Sequence, residues 1–327
     1  MTMISRSDKL NIINKNSVLV FLIALIFPFT AKCQIIKEPD TLSISKVAFS
    51  EFKLKGYPDF LTTDGNDVWV LNKNRIEKLS DKLKKPILTV DIPNACGGLI
   101  VGYHSIWVAN CKDQSIYRVD KKTGKVLAII KCGIADLKGE ISLAAGNNAI
   151  WVLSDSIGVL TRINVKSNKI EARIKVIPNS FCAIYKYNSV WITNTALGCV
   201  QRIDPKSNRI TANIAVGSSP RFLAAGENGV WVLNQGEGSV SRIDPKSNKM
   251  IATINTNVPG TGGDIVTGAG LIWVRATKGR FLQTINPKNN QILNIYTPLS
   301  GSGAVRVAGK NIWVTAHDIN TVWILKN

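Results

Sequence analysis

The feature that most constrains this chain is a tryptophan that keeps returning in one setting, with apolar residues before it and Val or Ile after it. Trp69, Trp107, Trp151, Trp191, Trp231, Trp273 and Trp313 all stand this way, at spacings of 38, 44, 40, 40, 42 and 40 residues. A period in this range marks a solenoid or a propeller, because a unit so small cannot bury its own apolar face and must stack on its neighbours. Seven copies leave little of the chain outside the repeat.

Residues 218–256 show what one unit contains. "PRFLAAG", "VWVLN", "SVSRID" and "KMIATI" are runs of five to seven residues, separated by "ENG", "QGEG" and "PKSN". Short runs rich in Val, Ile and Thr, punctuated by Gly, Asn, Pro and Ser, read as strands joined by tight turns. No segment sustains a helical period. The third run carries an arginine eleven residues after the tryptophan in Arg118, Arg162, Arg202 and Arg242, so the register within each copy repeats as well. In the turn that follows, Pro presets one dihedral and Gly or Asn accepts the left-handed conformation that a reversal needs.

Four-stranded antiparallel units at this period pack face to face around an axis, so the expected fold is all-β, a seven-bladed β-propeller. The last copy, "AVRVAGKNIWVTAHDINTVWILKN", supplies only three strands. The N-terminal stretch "LSISKVAFSEFKL" has the alternation of one strand and is expected to close the seventh blade. An open solenoid would need polar caps instead.

The combination of "VWV", "RIDP", "NK" and "ATI" resembles seven-bladed propellers with YVTN-type repeats and their relative, streptogramin B lyase, over residues 43–327. The resemblance implies the architecture. For the lyase it also implies catalytic histidines ten residues before the tryptophans and a glutamate three residues after them, with a divalent metal. The ten-before positions here are Asp59, Gly97, Ile141, Phe181, Arg221, Gly263 and Gly303. The three-after positions are Asn72, Asn110, Ser154, Asn194, Asn234, Ala276 and Ala316. A lyase of that kind needs a base to take a proton and a metal to steady the oxyanion. Neither group stands where the resemblance would put it.

Function is therefore sought where the repeat is broken. Asp59, Glu140, Arg221 and Asp264 fall at the starts of inner strands, around the mouth of the axis, and Arg275 takes a position otherwise held by small or apolar residues. His317, beside Asp318, ends the second strand of the last copy. These six form the candidate ligand-binding set, and no catalytic residue is assigned. His104 and His317 fall in turns on opposite faces, so they cannot share a metal. The glycines of "PGTGGDIVTGAG" are not followed by the Lys-Ser or Lys-Thr of a phosphate loop. Cys96 and Cys111 are symmetric about the turn at Tyr103 and His104, which places them opposite one another on two strands and predicts a disulfide between them in an oxidising compartment. Spacing offers no such pairing for Cys132, Cys182 and Cys199.

At the N-terminus Arg6, Lys9 and Lys15 precede the apolar run "VLVFLIALIFPFTA" and then "KCQ", the order of a secretory signal peptide. The run is interrupted by Pro28 and falls short of the roughly 20 residues that span a bilayer. The expected organisation is a signal peptide over residues 1–33 and one propeller domain over 34–327, exported to the periplasm, the medium or the cell surface with no transmembrane segment after cleavage. A lipid anchor at Cys33 is disfavoured by Lys32, where lipoprotein signals place a small residue. The full chain carries a formal charge of +19; without residues 1–33, 37 basic side chains against 21 acidic leave +16. Such a field favours anionic partners. Aromatic and basic residues do not interleave as a nucleic-acid platform would require, so nucleic acid is not an expected partner.

The leading expectation is a non-catalytic propeller that presents its axial face to a small ligand or a protein and uses no cofactor. One alternative is a lyase or lactone-opening hydrolase with a non-standard set such as Asp59, Arg221 and His317, for which Mg would be called on. Another is a structural surface protein held to anionic envelope material by its basic outer turns.

Overall fold

The computed structural model describes residues 38–133, 141–154, 157–257, 259–260, 262–276, 281–297 and 303–326. Its strands form seven sheets. In the fifth, the strands Pro220–Gly226, Gly229–Asn234, Ser239–Asp244 and Lys249–Asn255 pair antiparallel in chain order, as their turn residues require. The first five blades are all built this way. The inner strand of each blade touches that of the next, and the inner strand of the seventh touches that of the first, which closes the ring.

Seven apolar clusters hold the blades together, and each lies in the joint between two successive blades. The tryptophans are the largest pieces of these joints. Six of them are fully buried, and Trp273 is 3% exposed. Burying a side chain of this size supplies more apolar area than any other single position of the repeat. The indole N–H still needs an acceptor, and in Trp107, Trp151, Trp191, Trp231 and Trp273 it donates at 3.0–3.1 Å to the carbonyl five residues earlier.

Above four of the tryptophans lies the arginine of the third strand. The guanidinium carbons of Arg118, Arg162, Arg202 and Arg242 stand 4.7–5.2 Å from the ring centres of Trp107, Trp151, Trp191 and Trp231. From there each reaches the next blade. Arg202 Nη1 donates to the Pro245 carbonyl and to Asn248 Oδ1, both at 2.8 Å, and the other three bond the equivalent turn in the same way. The receiving asparagines, Asn168, Asn208, Asn248 and Asn290, all have φ between 56° and 60°. That is the left-handed conformation expected of them.

The ends of the chain close the ring, with one difference from expectation. The N-terminal stretch forms two strands rather than one. Ala48–Lys53 pairs antiparallel with Thr321–Lys326 and completes the seventh blade. Asp40–Ser43 instead runs parallel to Gln291–Thr297 as a fifth strand on the sixth blade. Between them Ile44–Val47 make one helical turn, which tucks Ile44 fully into the joint between blades six and seven. Among the described residues no helix is long and apolar enough to cross a membrane. The segment read as a signal peptide lies outside the described residues.

The strand path gives the ring two distinct faces. Inner strands begin, and second strands turn into third, on what we term the entry face. The hairpins between first and second strands, and the lysine-bearing turns between third and fourth, lie on the other.

Candidate functional site

The inner strands surround a cavity of about 350 Å³ on the axis. Most of its wall is apolar, as the two-residue period of each inner strand dictates, with Phe60, Leu99, Ile141, Phe181, Phe222 and Ile265 among the lining residues. Phe181 and Phe222 meet edge to face at 5.2 Å. A pocket of this kind, apolar with a few convergent polar groups, suits a small molecule.

The charged part of the wall is an ion pair. Asp264, at the start of the sixth inner strand and 4% exposed, bonds Arg306 Nη1 through Oδ2. The same oxygen accepts the Val305 N–H at 3.0 Å, and Oδ1 accepts the Ile265 N–H at 2.9 Å. Burial raises the Asp264 pKa, and the charge of Arg306 opposes that rise. Arg306 Nη1 also donates to the Val305 carbonyl at 2.6 Å, so the guanidinium is fixed in the cavity wall. Thr62, Ser142 and Cys182 add hydrogen-bonding groups. Burial pushes the Cys182 thiol up to about 11, which leaves it protonated and unreactive at neutral pH.

Arg306 was not singled out from the sequence, although a signal existed. Seven residues before each tryptophan stand Thr62, Ile100, Ala144, Ile184, Ala224, Val266 and Arg306, so the arginine is the one charge in its column.

Of the expected residues, Asp59, Asp264, Arg275 and His317 come from blades one, six and seven, one sector of the ring. Arg275 is completely buried. It donates to the carbonyls of Ala276, of Phe281 at 3.1 Å and of Thr315 at 3.4 Å, and lies 3.9 Å over the Phe281 ring. Desolvation pulls its pKa down to about 9, against the stabilising charges of Asp318, Asp264 and Asp59. It therefore ties blade six to blade seven through backbone acceptors.

His317 stacks on Tyr57 with centroids 4.0 Å apart, and its Nε2 lies 3.3 Å from the Tyr57 hydroxyl. Its pKa is lowered, by burial first and further by Arg275, while Asp318 acts in the opposite sense. The Asp59 carbonyl accepts the Thr315 hydroxyl at 2.9 Å, linking blades seven and one. Arg221 stands apart, its guanidinium 4.0 Å over Phe181. Glu140 lies outside the described residues.

Three of the four asparagines three after the tryptophan are spent on the backbone, and the fourth, Asn234, donates to the hydroxyls of Ser239 and Ser241 at 2.9 Å. Asn72, Asn110 and Asn194 donate to the carbonyls of Lys55, Pro93 and Pro178, and accept backbone N–H groups of the turn that follows. Among the described residues no three His, Cys, Asp or Glu side chains converge.

Cys96 and Cys111 are joined by a disulfide, with Cα atoms 5.9 Å apart. They are not directly opposed, however. A bulge at Gly97 and Gly98 shifts the register, so that Cys96 faces Ala109 and the bridge runs diagonally to Cys111 just beyond the strand. Gly97 has φ +61°, and a Cβ there would meet the Ile141 backbone at 2.4 Å, so only glycine serves at this contact between blades two and three.

No protein-family model matches the chain, and no curated protein sequence does. Solved structures do resemble it. Virginiamycin B lyase from Staphylococcus aureus is 17% identical over 85% of this chain and 98% of its own, with a TM-score of 0.72. A catalytically inactive variant of that enzyme, solved with quinupristin, is 18% identical over the same shares, with a TM-score of 0.73. BamB from Moraxella catarrhalis is 11% identical over 84% of this chain and 86% of its own, with a TM-score of 0.62. At such identities the likeness is one of fold, and the chain is a seven-bladed β-propeller similar in architecture to the streptogramin B lyases.

Proposed function

We propose that this protein is an exported binding scaffold that takes a small, largely apolar ligand bearing one hydrogen-bond acceptor or anionic group into its axial cavity, without converting it. The observation that carries this reading is the apolar wall interrupted by the fixed Asp264–Arg306 pair. Apolar area supplies the driving force for entry, and a guanidinium already held in place loses little freedom on meeting an acceptor.

Support for binding rather than conversion comes from the positions the lyase resemblance would use. They carry no histidine at the inner-strand starts, and asparagines spent on the backbone three residues after Trp69, Trp107 and Trp191. The fold-level likeness to streptogramin B lyases favours a second reading, a lyase or lactone-opening hydrolase acting through Asp59 and His317. The test is to titrate an apolar aromatic sulfonate, such as 1-anilinonaphthalene-8-sulfonate, into the protein and to assay cyclic esters with and without Mg. Saturable binding that is lost in Arg306→Met, with no turnover, supports the scaffold. Turnover abolished in His317→Ala sinks it in favour of the enzyme. Export is tested by sequencing the N-terminus of the mature protein.

A further inference from the structure

Six lysines occupy one position of the repeat, four residues after the third-strand residue that pairs with the tryptophan: Lys82, Lys122, Lys166, Lys206, Lys246 and Lys288. All six are exposed. Their side chains are free to reach solvent, but their backbones are pinned. The N–H groups of Lys122, Lys166, Lys206, Lys246 and Lys288 bond the side chain of the Asp or Asn two residues earlier, at 2.8–3.1 Å. The carbonyls preceding four of them accept the guanidinium of the previous blade. Positions related by the ring's rotational repeat stand at one level. The amines therefore form an arc across six of the seven blades, on the face opposite the entry face.

The basic side chains of these turns outnumber the carboxylates, Asp81, Asp120, Asp204 and Asp244. Asp120, Asp204 and Asp244 face back into their own turns, where they accept backbone N–H groups. On the entry face, by contrast, the described turns mix Lys73 and Lys112 with Asp113, Glu237 and Asp318. Among the described residues, the turns of the lysine-bearing face are thus the more basic.

We propose that this face docks the protein on an anionic lipid surface. A level array of strongly hydrated point charges matches a plane of mobile headgroups, which can move to meet each amine. The turns that carry the lysines contain no aromatic residue, so they offer no platform on which bases could stack. Docking this way leaves the entry face turned to solvent.

The test is co-sedimentation of the full chain with vesicles containing phosphatidylglycerol, against vesicles of phosphatidylcholine alone, which read any contribution of the apolar N-terminal run. Two triple variants of equal net charge are compared with the parent. Each lysine at an anionic leaflet is worth on the order of a fivefold change in partition, so Lys166→Gln/Lys206→Gln/Lys246→Gln loses roughly 100-fold at low salt. Lys55→Gln/Lys73→Gln/Lys112→Gln, which alters the entry face, stays within roughly threefold of the parent. Unchanged thermal unfolding confirms that both fold. Equal losses in the two variants overturn the proposal, since net charge alone then suffices. It is also overturned, in favour of a polyanionic chain, by a parent that binds soluble dextran sulfate through the same three lysines yet shows no preference for phosphatidylglycerol.

Discussion

Arg202 lies 4.7 Å over the ring of Trp191 and, with the same guanidinium, holds Asn248 in the following blade at 2.8 Å. One side chain thus covers the core of its own blade and fixes the turn of the next. Arg202→Ala is expected to destabilise the ring by about 2 kcal/mol, combining a lost charged hydrogen bond with a lost cation–π contact. Arg202→Lys keeps the charge but not the planar fork and should recover less than half of that. Urea unfolding of both variants measures it, and a loss within the error of the parent for Arg202→Ala would refute the linkage.

The Asp264–Arg306 pair should behave as a coupled unit. Because Arg306 remains partly exposed, the cost of leaving Asp264 alone in the wall is discounted to about 2 kcal/mol for Arg306→Met. Asp264→Asn combined with Arg306→Met should cost less than the two single changes added together. A double-mutant cycle showing strict additivity would mean that the two groups do not sense one another.

Arg275 is expected to be the least replaceable charge in the chain. Arg275→Met fills much of the same space but takes the guanidinium donor from the Thr315 carbonyl and leaves the Phe281 carbonyl with the Ala276 N–H alone, in a dry joint. A loss of about 3 kcal/mol or more is expected. Differential scanning calorimetry would register it, whereas a neutral substitution would place the guanidinium outside the joint.

His317 carries a pH signature. Its folded pKa lies below the ordinary imidazole value of 6.5, so as pH falls from about that value the unfolded chain takes up a proton before the folded one does. The contribution of neutral His317 to stability is therefore present above that pH and is lost as pH falls through the folded pKa. Side-chain NMR should find its titration displaced to low pH, and His317→Gln should flatten the fall in stability on the acid side. An imidazole titrating above 6.5 contradicts the burial assigned to it.

Thiol accounting tests the diagonal bridge. Unfolded without reductant, Cys132, Cys182 and Cys199 should alkylate while Cys96 and Cys111 do not. Reduction should cost roughly 3 kcal/mol, the value for a loop of about fifteen residues. Alkylation of Cys96 in unreduced protein would remove the bridge from the account.

The repeat was readable because tryptophan, arginine and asparagine each have a physical reason to sit at one place in blade after blade, in four or more of the seven. Trp231 needs a joint to fill, Arg242 needs acceptors in the next blade, and Asn248 tolerates a positive φ. Features lacking a seven-fold reason were harder to read. Ile44 breaks the N-terminal strand because a single joint has room for it, and the shift at Gly97 and Gly98 answers to the backbone of Ile141 in another blade. Four of the six candidate site residues fall in one sector because they interrupt the repeat near the chain's ends. Arg306 interrupts it too, but its partner Asp264 belongs to the preceding copy, and only the packed ring brings the two together.

The strand that completes the seventh blade carries a consequence for the order of events in the cell. Glu51 accepts the indole N–H of Trp323, 272 residues further along the chain. During synthesis the closing strand leaves the ribosome early and waits, its edge open, until nearly every other blade has been made. Local hairpins can form as they emerge, but the final joint must wait for the most distant pairing in the molecule. The Asp40–Ser43 strand, docking on blade six one step sooner, would bring the waiting segment alongside its partner before the last blade arrives.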